Sequence, residues 1–230
     1  MSKLSGVNHI FFDLDHTLWD FDKNSKLAFE TIFEKNKIVV PVEEFLAVYS
    51  PINFRYWKYF RESKITKEQL RYGRLKKSFE GLKVNIDDFL INKLSDDYIT
   101  HLPDHNHLFD GTLELLEELN KNYKLHIITN GFEEVQALKL KKSKIDHFFK
   151  TVTSSESVGV KKPDMRIFHH ALSTAGAGVA ESVMIGDTYE ADILGAQRVG
   201  MRTIFFNYHK EIAHNEQLVI DRIDSVKIFL

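Results

Sequence analysis

The chain contains no cysteine, which excludes disulfides, thiolate metal sites and a cysteine nucleophile by inventory and fits a cytoplasmic protein. It also lacks an excess of one charge. Its 31 basic and 33 acidic residues are interspersed and leave a formal net charge of −2, so there is no basic stripe of the kind a nucleic-acid polymer needs. Long hydrophobic runs are missing as well. The apolar stretch that ends at Asp13 is too short for a signal-peptide core or a membrane span, so it reads as the first strand of a soluble protein with no membrane partner. Neither an internal repeat nor a low-complexity tract is visible. What is present is 230 residues of 43% hydrophobic content, enough for one substantial core and a smaller accessory module. Nothing in the composition speaks to oligomeric state.

Short apolar runs recur at His9 to Leu14, Leu125 to Thr129, Val183 to Asp187 and Thr203 to Phe206, with a weaker one at Thr151 to Ser154. A strand buried on both faces of a parallel sheet has this character. Between and after them, Leu113 to Leu119, Glu133 to Lys142, Asp164 to Ala175 and Tyr189 to Val199 read as helices. Strands alternating with helices imply an α/β fold with a doubly wound parallel, Rossmann-like sheet. Ligands of such sheets bind beyond the carboxyl ends of the strands, which is where Asp13, Thr129 and Asp187 fall.

Residues 21–107 break the alternation with consecutive helices, so an inserted α-helical domain is expected there and a core domain from 1–20 with 108–230. Within the insertion, Thr66 with Glu68 and Gln69 reads as a helix start. Phe54, Tyr56, Trp57, Tyr59 and Phe60 form a dense aromatic run, expected to build the insertion's own core. Pro103 and the polar stretch Asp104 to His107 mark the return to the core domain.

The segment Asp13-Leu14-Asp15-His16-Thr17-Leu18 sets two carboxylates two residues apart at the end of the first strand. On its own the pair is weak evidence: Asp15 could equally cap a turn. Three more segments follow in order, namely Thr129-Asn130-Gly131, Lys162-Pro163-Asp164 with Ile167-Phe168 beyond, and Gly186-Asp187 followed by Asp192. Together the four resemble the motifs of the haloacid dehalogenase-like hydrolases across nearly the whole core.

That resemblance implies a phosphomonoester hydrolase that needs Mg2+ and forms an aspartyl-phosphate. It makes Asp13 the nucleophile and Asp15 the acid and then the base. Thr129 and Asn130 bind the phosphoryl group, and Lys162, which directly precedes the proline as the family pattern requires, supplies the fixed cation in preference to Lys161. Asp13, Asp187 and the main chain of Asp15 hold the metal, with Asp192 behind them. Phosphoryl transfer requires these same elements: an in-line nucleophile, a proton donor and positive charge around the transferred oxygens.

The stretch from Asp15 to Phe21, with Asn53, Trp57, Ile65-Thr66 and Arg74, resembles the 5′-nucleotidases of this family that act on pyrimidine and noncanonical nucleoside monophosphates. His16 stands where that subgroup often has an acidic residue, which makes His16 and Trp57 the leading specificity residues, with Asn53 and Arg74 beside them. The expected partner is a small phosphorylated substrate. A phosphatase for phosphoglycolate or a sugar phosphate would use identical chemistry, and a non-catalytic binder of phosphorylated ligands is the alternative of another class. Asp104, His105 and His107, and the pair His169-His170, read as surface polar groups, and Arg55, Arg61, Arg71 and Arg74 as mostly solvated helix charges.

Overall fold

The computed structural model describes residues 3–210 and 218–230. Along the chain run β1 (His9–Phe12), α1 (Phe21–Asn36), α2 (Val42–Arg61), α3 (Lys67–Gly81), α4 (Asp88–His101), α5 (Thr112–Leu119), β2 (Lys124–Thr129) and α6 (Glu133–Lys142). There follow β3 (Phe149–Ser154), α7 (Ser155–Val158), α8 (Met165–Ala175), β4 (Ser182–Gly186), a π-helical turn (Tyr189–Leu194), α9 (Gly195–Arg198), β5 (Arg202–Phe206) and β6 (Leu218–Ile220). Two compact units result, one from the chain up to Phe21 and from Asn106 onward, the other from Asp22–His105. No helix among the described residues is long and apolar enough to cross a membrane.

The first unit carries a sheet of order β3-β2-β1-β4-β5-β6 in which every neighbouring pair is parallel. All four residues of β1 are buried, the polar His9 as well as the apolar Ile10, Phe11 and Phe12, as befits a central strand. Because β2 and β4 flank β1 on opposite sides, the chain reverses direction across the sheet there, and this is the switch point at which a crevice opens. The register aligns Phe12 with Ile127 and Ile185. Asp13, Thr129 and Asp187 therefore share one edge of the sheet. On one face Phe11, Ile128 and Met184 meet Ile167, Phe168, Ala171 and Leu172 of α8 and Ala196 of α9, an apolar stripe at helical spacing. Asp164 caps α8, accepting from the Arg166 N–H at 2.9 Å.

Two elements differ from expectation. The helix expected over Tyr189 to Val199 is a π-helical turn followed by one turn of α9, and the wider turn lets Asp192 be buried with its Oδ2 accepting from the Thr188 N–H at 2.9 Å. Such π-helical turns are frequent at functional sites. The sixth strand was not anticipated: at three residues it offers too little pattern to read.

In the second unit α3 starts at a capping box, with Gln69 N–H donating to Thr66 Oγ1 at 3.2 Å and Thr66 N–H to Gln69 Oε1 at 2.9 Å. The dense aromatic run does not build this unit's core. Of that run only Phe60 is buried, while Phe54 and Tyr59 are exposed and Tyr56 and Trp57 half-buried. The core is formed by Phe29, Phe33, Phe45, Tyr49, Phe79 and Tyr98 from all four helices, with ring centroids 4.6 Å apart for Phe29 and Tyr98 and 5.1 Å for Phe45 and Phe79. Neighbouring residues on a helix point about 100° apart, so a contiguous run cannot face one core, whereas single aromatics on several helices can. Arg74 departs from expectation too: it is buried among these rings rather than solvated.

Candidate active site

Asp13 is still tied to the sheet, its N–H donating to the Ile185 carbonyl at 2.9 Å. The chain then folds sharply, with the Leu18 and Trp19 N–H groups both donating to the Leu14 carbonyl and His16 N–H to that of Trp19. Leu14, Leu18 and Trp19 anchor this turn in the core. His16 takes a left-handed conformation, φ 59, a position costly for a residue with a Cβ and so held by its surroundings. Its ring stacks on Tyr208 at 5.5 Å and meets His209 edge-on at 4.8 Å.

Lys162 is the hub. Its ammonium lies 2.6 Å from Asp13 Oδ1 and 2.7 Å from Asp192 Oδ1 and donates to the Ile128 carbonyl at 2.7 Å. Its loop is pinned to the end of β2 by a two-way amide contact: Asn130 Nδ2 donates to the Lys162 carbonyl at 3.0 Å, and Lys162 N–H donates to Asn130 Oδ1 at 2.8 Å. Asn130 thus positions the lysine by its side chain. Lys161, one residue earlier, is only half-buried. Gly186 is required here by close approach, since a Cβ at that position would collide with the Asp192 side chain.

Asp187 accepts from Thr17 Oγ1 at 3.1 Å and pairs with His209 Nε2 at 3.1 Å. Burial works against its ionisation, but His209 and the nearby His16 and Lys162 hold its carboxyl below the usual range. Asp13 is pushed well above that range by burial and by the neighbouring Asp192 and Asp187 charges, against the pull of Lys162. Asp192 is raised by burial and by Asp187, and Lys162 is held above its ordinary value by Asp13 and Asp192 despite its burial. One lysine is thus set among three carboxylates. Oxygens of Asp13, Asp187 and Asp192 lie within 4.8 Å of one another, a hard-oxygen set that fits a small divalent cation. A second group within the same reach, His16, Asp187 and His209, shares Asp187 and offers ring nitrogens.

Thr129 Oγ1 accepts from the Gly131 N–H at 3.0 Å and from Gln136 Nε2 at 2.7 Å. Gln136 Nε2 also reaches Asp15 Oδ2 at 3.0 Å, and Lys139 Nζ lies 2.5 Å from Asp15 Oδ1. Sequence reasoning missed Gln136 and Lys139 because α6 ends in a lysine-rich stretch that looks solvated. Thr17 and His209 were missed as well. The signal available for Gln136 and Lys139 was their spacing of three on a helix that begins four residues after Thr129.

The structure thus brings together Asp13, Asp15, His16, Thr129, Asn130, Lys162, Asp187 and Asp192. Asn53, Trp57 and Arg74 belong to the helical unit. There Arg74 Nη1 donates to Asn53 Oδ1 at 2.9 Å, while Trp57 packs edge-on to Phe60 at 5.7 Å. Asp104 and His107 are exposed and His105 half-buried, and His169 and His170 lie exposed on α8.

A family profile described as haloacid dehalogenase-like hydrolase matches residues 10–206. The chain is 35% identical over 212 residues to pyrimidine 5′-nucleotidase YjjG of Escherichia coli, covering 90% of this chain and 88% of that one. It is 32% identical over 206 residues to the glyceraldehyde 3-phosphate phosphatase of Pyrococcus abyssi, covering 89% and 83%. In three dimensions it is similar to the HAD-hydrolase YfnB of Bacillus subtilis, whose structure was solved bound to magnesium: the TM-score is 0.87 at 27% identity, covering 96% and 97% of the two chains.

Proposed function

The chain belongs to the haloacid dehalogenase-like hydrolases, and from that premise we propose that it is a Mg2+-dependent phosphomonoester hydrolase that passes through an aspartyl-phosphate, with nucleoside 5′-monophosphates as substrates. The observation that carries this is the buried Asp13 carboxylate, 2.6 Å from Lys162 and grouped with Asp187 and Asp192.

An oxygen of Asp13 attacks phosphorus, and the bond to the ester oxygen breaks with its electron pair going to that oxygen, which takes a proton from Asp15. Water then attacks the phosphorus, Asp15 accepts a proton from it, and the bond to Asp13 breaks with the pair returning to the carboxylate. Lys162, Thr129 and the N–H groups after β2 supply the positive and donor groups that the transferred oxygens need. Asp13 and Asp187 with the main-chain carbonyl of Asp15 would hold the magnesium ion, and Asp192 steadies Lys162. When bound, the ion offsets repulsion between Asp13 and the phosphate and stabilises charge on the phosphoryl oxygens.

The nucleotide reading is supported by the similarity to a pyrimidine 5′-nucleotidase. It gives the helical unit, residues 22–105, the role of a cap that selects the leaving group. Within it Arg74 is buried with no carboxylate partner among the described residues: Nη1 meets the neutral Asn53, Nε has no partner, and the guanidinium lies 5.1 Å from the Tyr98 ring. A cation so placed is only partly compensated, which suits a reader of acceptor oxygens on a leaving group. Similarity to a glyceraldehyde 3-phosphate phosphatase favours the second reading, a small non-nucleotide ester.

Phosphate release from nucleoside monophosphates, sugar phosphates and phosphoglycolate, with Mg2+ or EDTA, decides between them. Release that is strongest with nucleotides, and Arg74→Lys lowering the nucleotide-to-sugar-phosphate ratio about tenfold, is the expected result. Equal rates across the panel would return the small-ester reading, and no release at all would reopen the binding-protein alternative.

A further inference from the structure

Asp15 carries a proton in both half-reactions, yet it stands at the start of a tight turn and is only half-buried, so something else must fix its carboxylate. Two side chains of α6, one helical turn apart, reach both of its oxygens: Lys139 Nζ to Oδ1 at 2.5 Å and Gln136 Nε2 to Oδ2 at 3.0 Å. Gln136 also donates to Thr129 Oγ1 at 2.7 Å, which ties the proton carrier to a group proposed to bind the transferred phosphoryl. The Lys139 side chain is 2% exposed. Its ammonium lies 4.2 Å from the Trp19 ring and 5.3 Å from the Phe21 ring, so its position is set by aromatic faces on one side and by the carboxylate on the other. A surface lysine paired with an aspartate would wander. This one is desolvated and confined.

We propose that Lys139 and Gln136 are positioning residues that hold the Asp15 carboxylate where it can pass protons to the leaving oxygen and take them from the attacking water. The inference rests on the aspartyl-phosphate reading above. It yields a signature that a residue needed only for folding does not, because the two half-reactions depend on Asp15 differently according to the leaving group. An alcohol must be protonated as it departs, whereas p-nitrophenolate leaves without help. Hydrolysis of the phosphoenzyme needs the base whichever ester formed it.

The test is steady-state and pre-steady-state kinetics of Lys139→Met with a nucleoside monophosphate and with p-nitrophenyl phosphate. The expected result is a kcat/KM that falls roughly tenfold to a hundredfold for the nucleotide and changes less than about threefold for p-nitrophenyl phosphate. With the latter, kcat falls and a burst of one p-nitrophenol per enzyme appears. Lys139→Arg, which keeps the cation but not its shape, retains more of the nucleotide kcat/KM than Lys139→Met does.

Equal losses for both esters without a burst would overturn the proposal, as would wild-type kinetics. Should Lys139→Met not fold, Gln136→Met leaves the buried charge pair intact and must show the same split between esters, and its absence overturns the proposal just as well. If the wild-type protein cleaves neither ester, it is the parent reading that fails, and the two failures are thereby told apart.

Discussion

The central strands bury titratable groups twice, in opposite company. Beyond their carboxyl ends Asp13, Asp187 and Asp192 crowd around Lys162, with Asp13 and Asp192 pushed up and Lys162 held up. Within β1 and β2, His9 and His126 form a neutral chain instead: His9 Nδ1 to His126 Nε2 at 3.0 Å, and His126 Nδ1 to Thr151 Oγ1 at 2.8 Å, with the His126 ring stacked on Phe11 at 4.6 Å. Burial, with help from His9, Lys124 and Lys150, pushes His126 down to about 4, and burial and Lys124 lower His9. Burial of ionisable groups therefore does not by itself mark a site. The histidines are satisfied by neutral partners and need nothing more, whereas the carboxylates have more negative charge than one lysine balances and call for a ligand.

Asp13→Asn is the severest test of that contrast. Phosphate release should fall by ~10³-fold or more, since the nucleophile is gone, while the melting temperature moves little. His126→Gln, which keeps both hydrogen bonds in kind, should leave turnover within about twofold. Substantial activity in the first variant, or a large loss in the second, would break the comparison.

The histidine pair should instead govern stability in acid. With His126 at about 4 in the folded protein and about 6.5 when unfolded, the unfolded chain holds the extra proton between those values. Stability is then complete above pH 6.5 and drains as pH falls toward 4, by no more than about 3 kcal/mol for the single ring. Urea unfolding from pH 7.5 to 4 should show that loss in wild type and a flatter profile in His126→Gln. Identical profiles would mean that other groups set the acid limb.

Sequence reasoning reached the carboxyl ends of the strands because buried parallel strands are short apolar runs and the residues ending them are polar, so Asp13, Thr129 and Asp187 announce themselves. It reached Lys162 through the adjacent proline of the family pattern. It did not reach Gln136 and Lys139, because what distinguishes them from solvated helix residues is the indole and carboxylate facing them, and those lie more than a hundred positions away in the chain. Arg74 was reached as a specificity candidate, but its burial escaped for the same reason, its aromatic surroundings being spread over α2 and α4. Local aromatic density misplaces the core of the helical unit, because burial follows which face of each helix meets its neighbours.

The smallest effect is also the one that completes the carboxyl end. A cation that binds the folded carboxylates and not the unfolded chain stabilises by mass action, about 2.7 kcal/mol at a hundredfold excess over its Kd. Thermal melts with Mg2+ should therefore rise relative to EDTA in wild type. Asp187→Asn removes one hard-oxygen donor and one of the charges that raise Asp13, so its melt should respond less to Mg2+ even if it is more stable without the ion. His126→Gln should respond as wild type does, because nothing in the histidine chain lacks a counter-charge. Were Asp187→Asn to keep the full Mg2+ shift, the ion would have to bind elsewhere, and the crowding of Asp13, Asp187 and Asp192 would need Lys162 alone to hold it together.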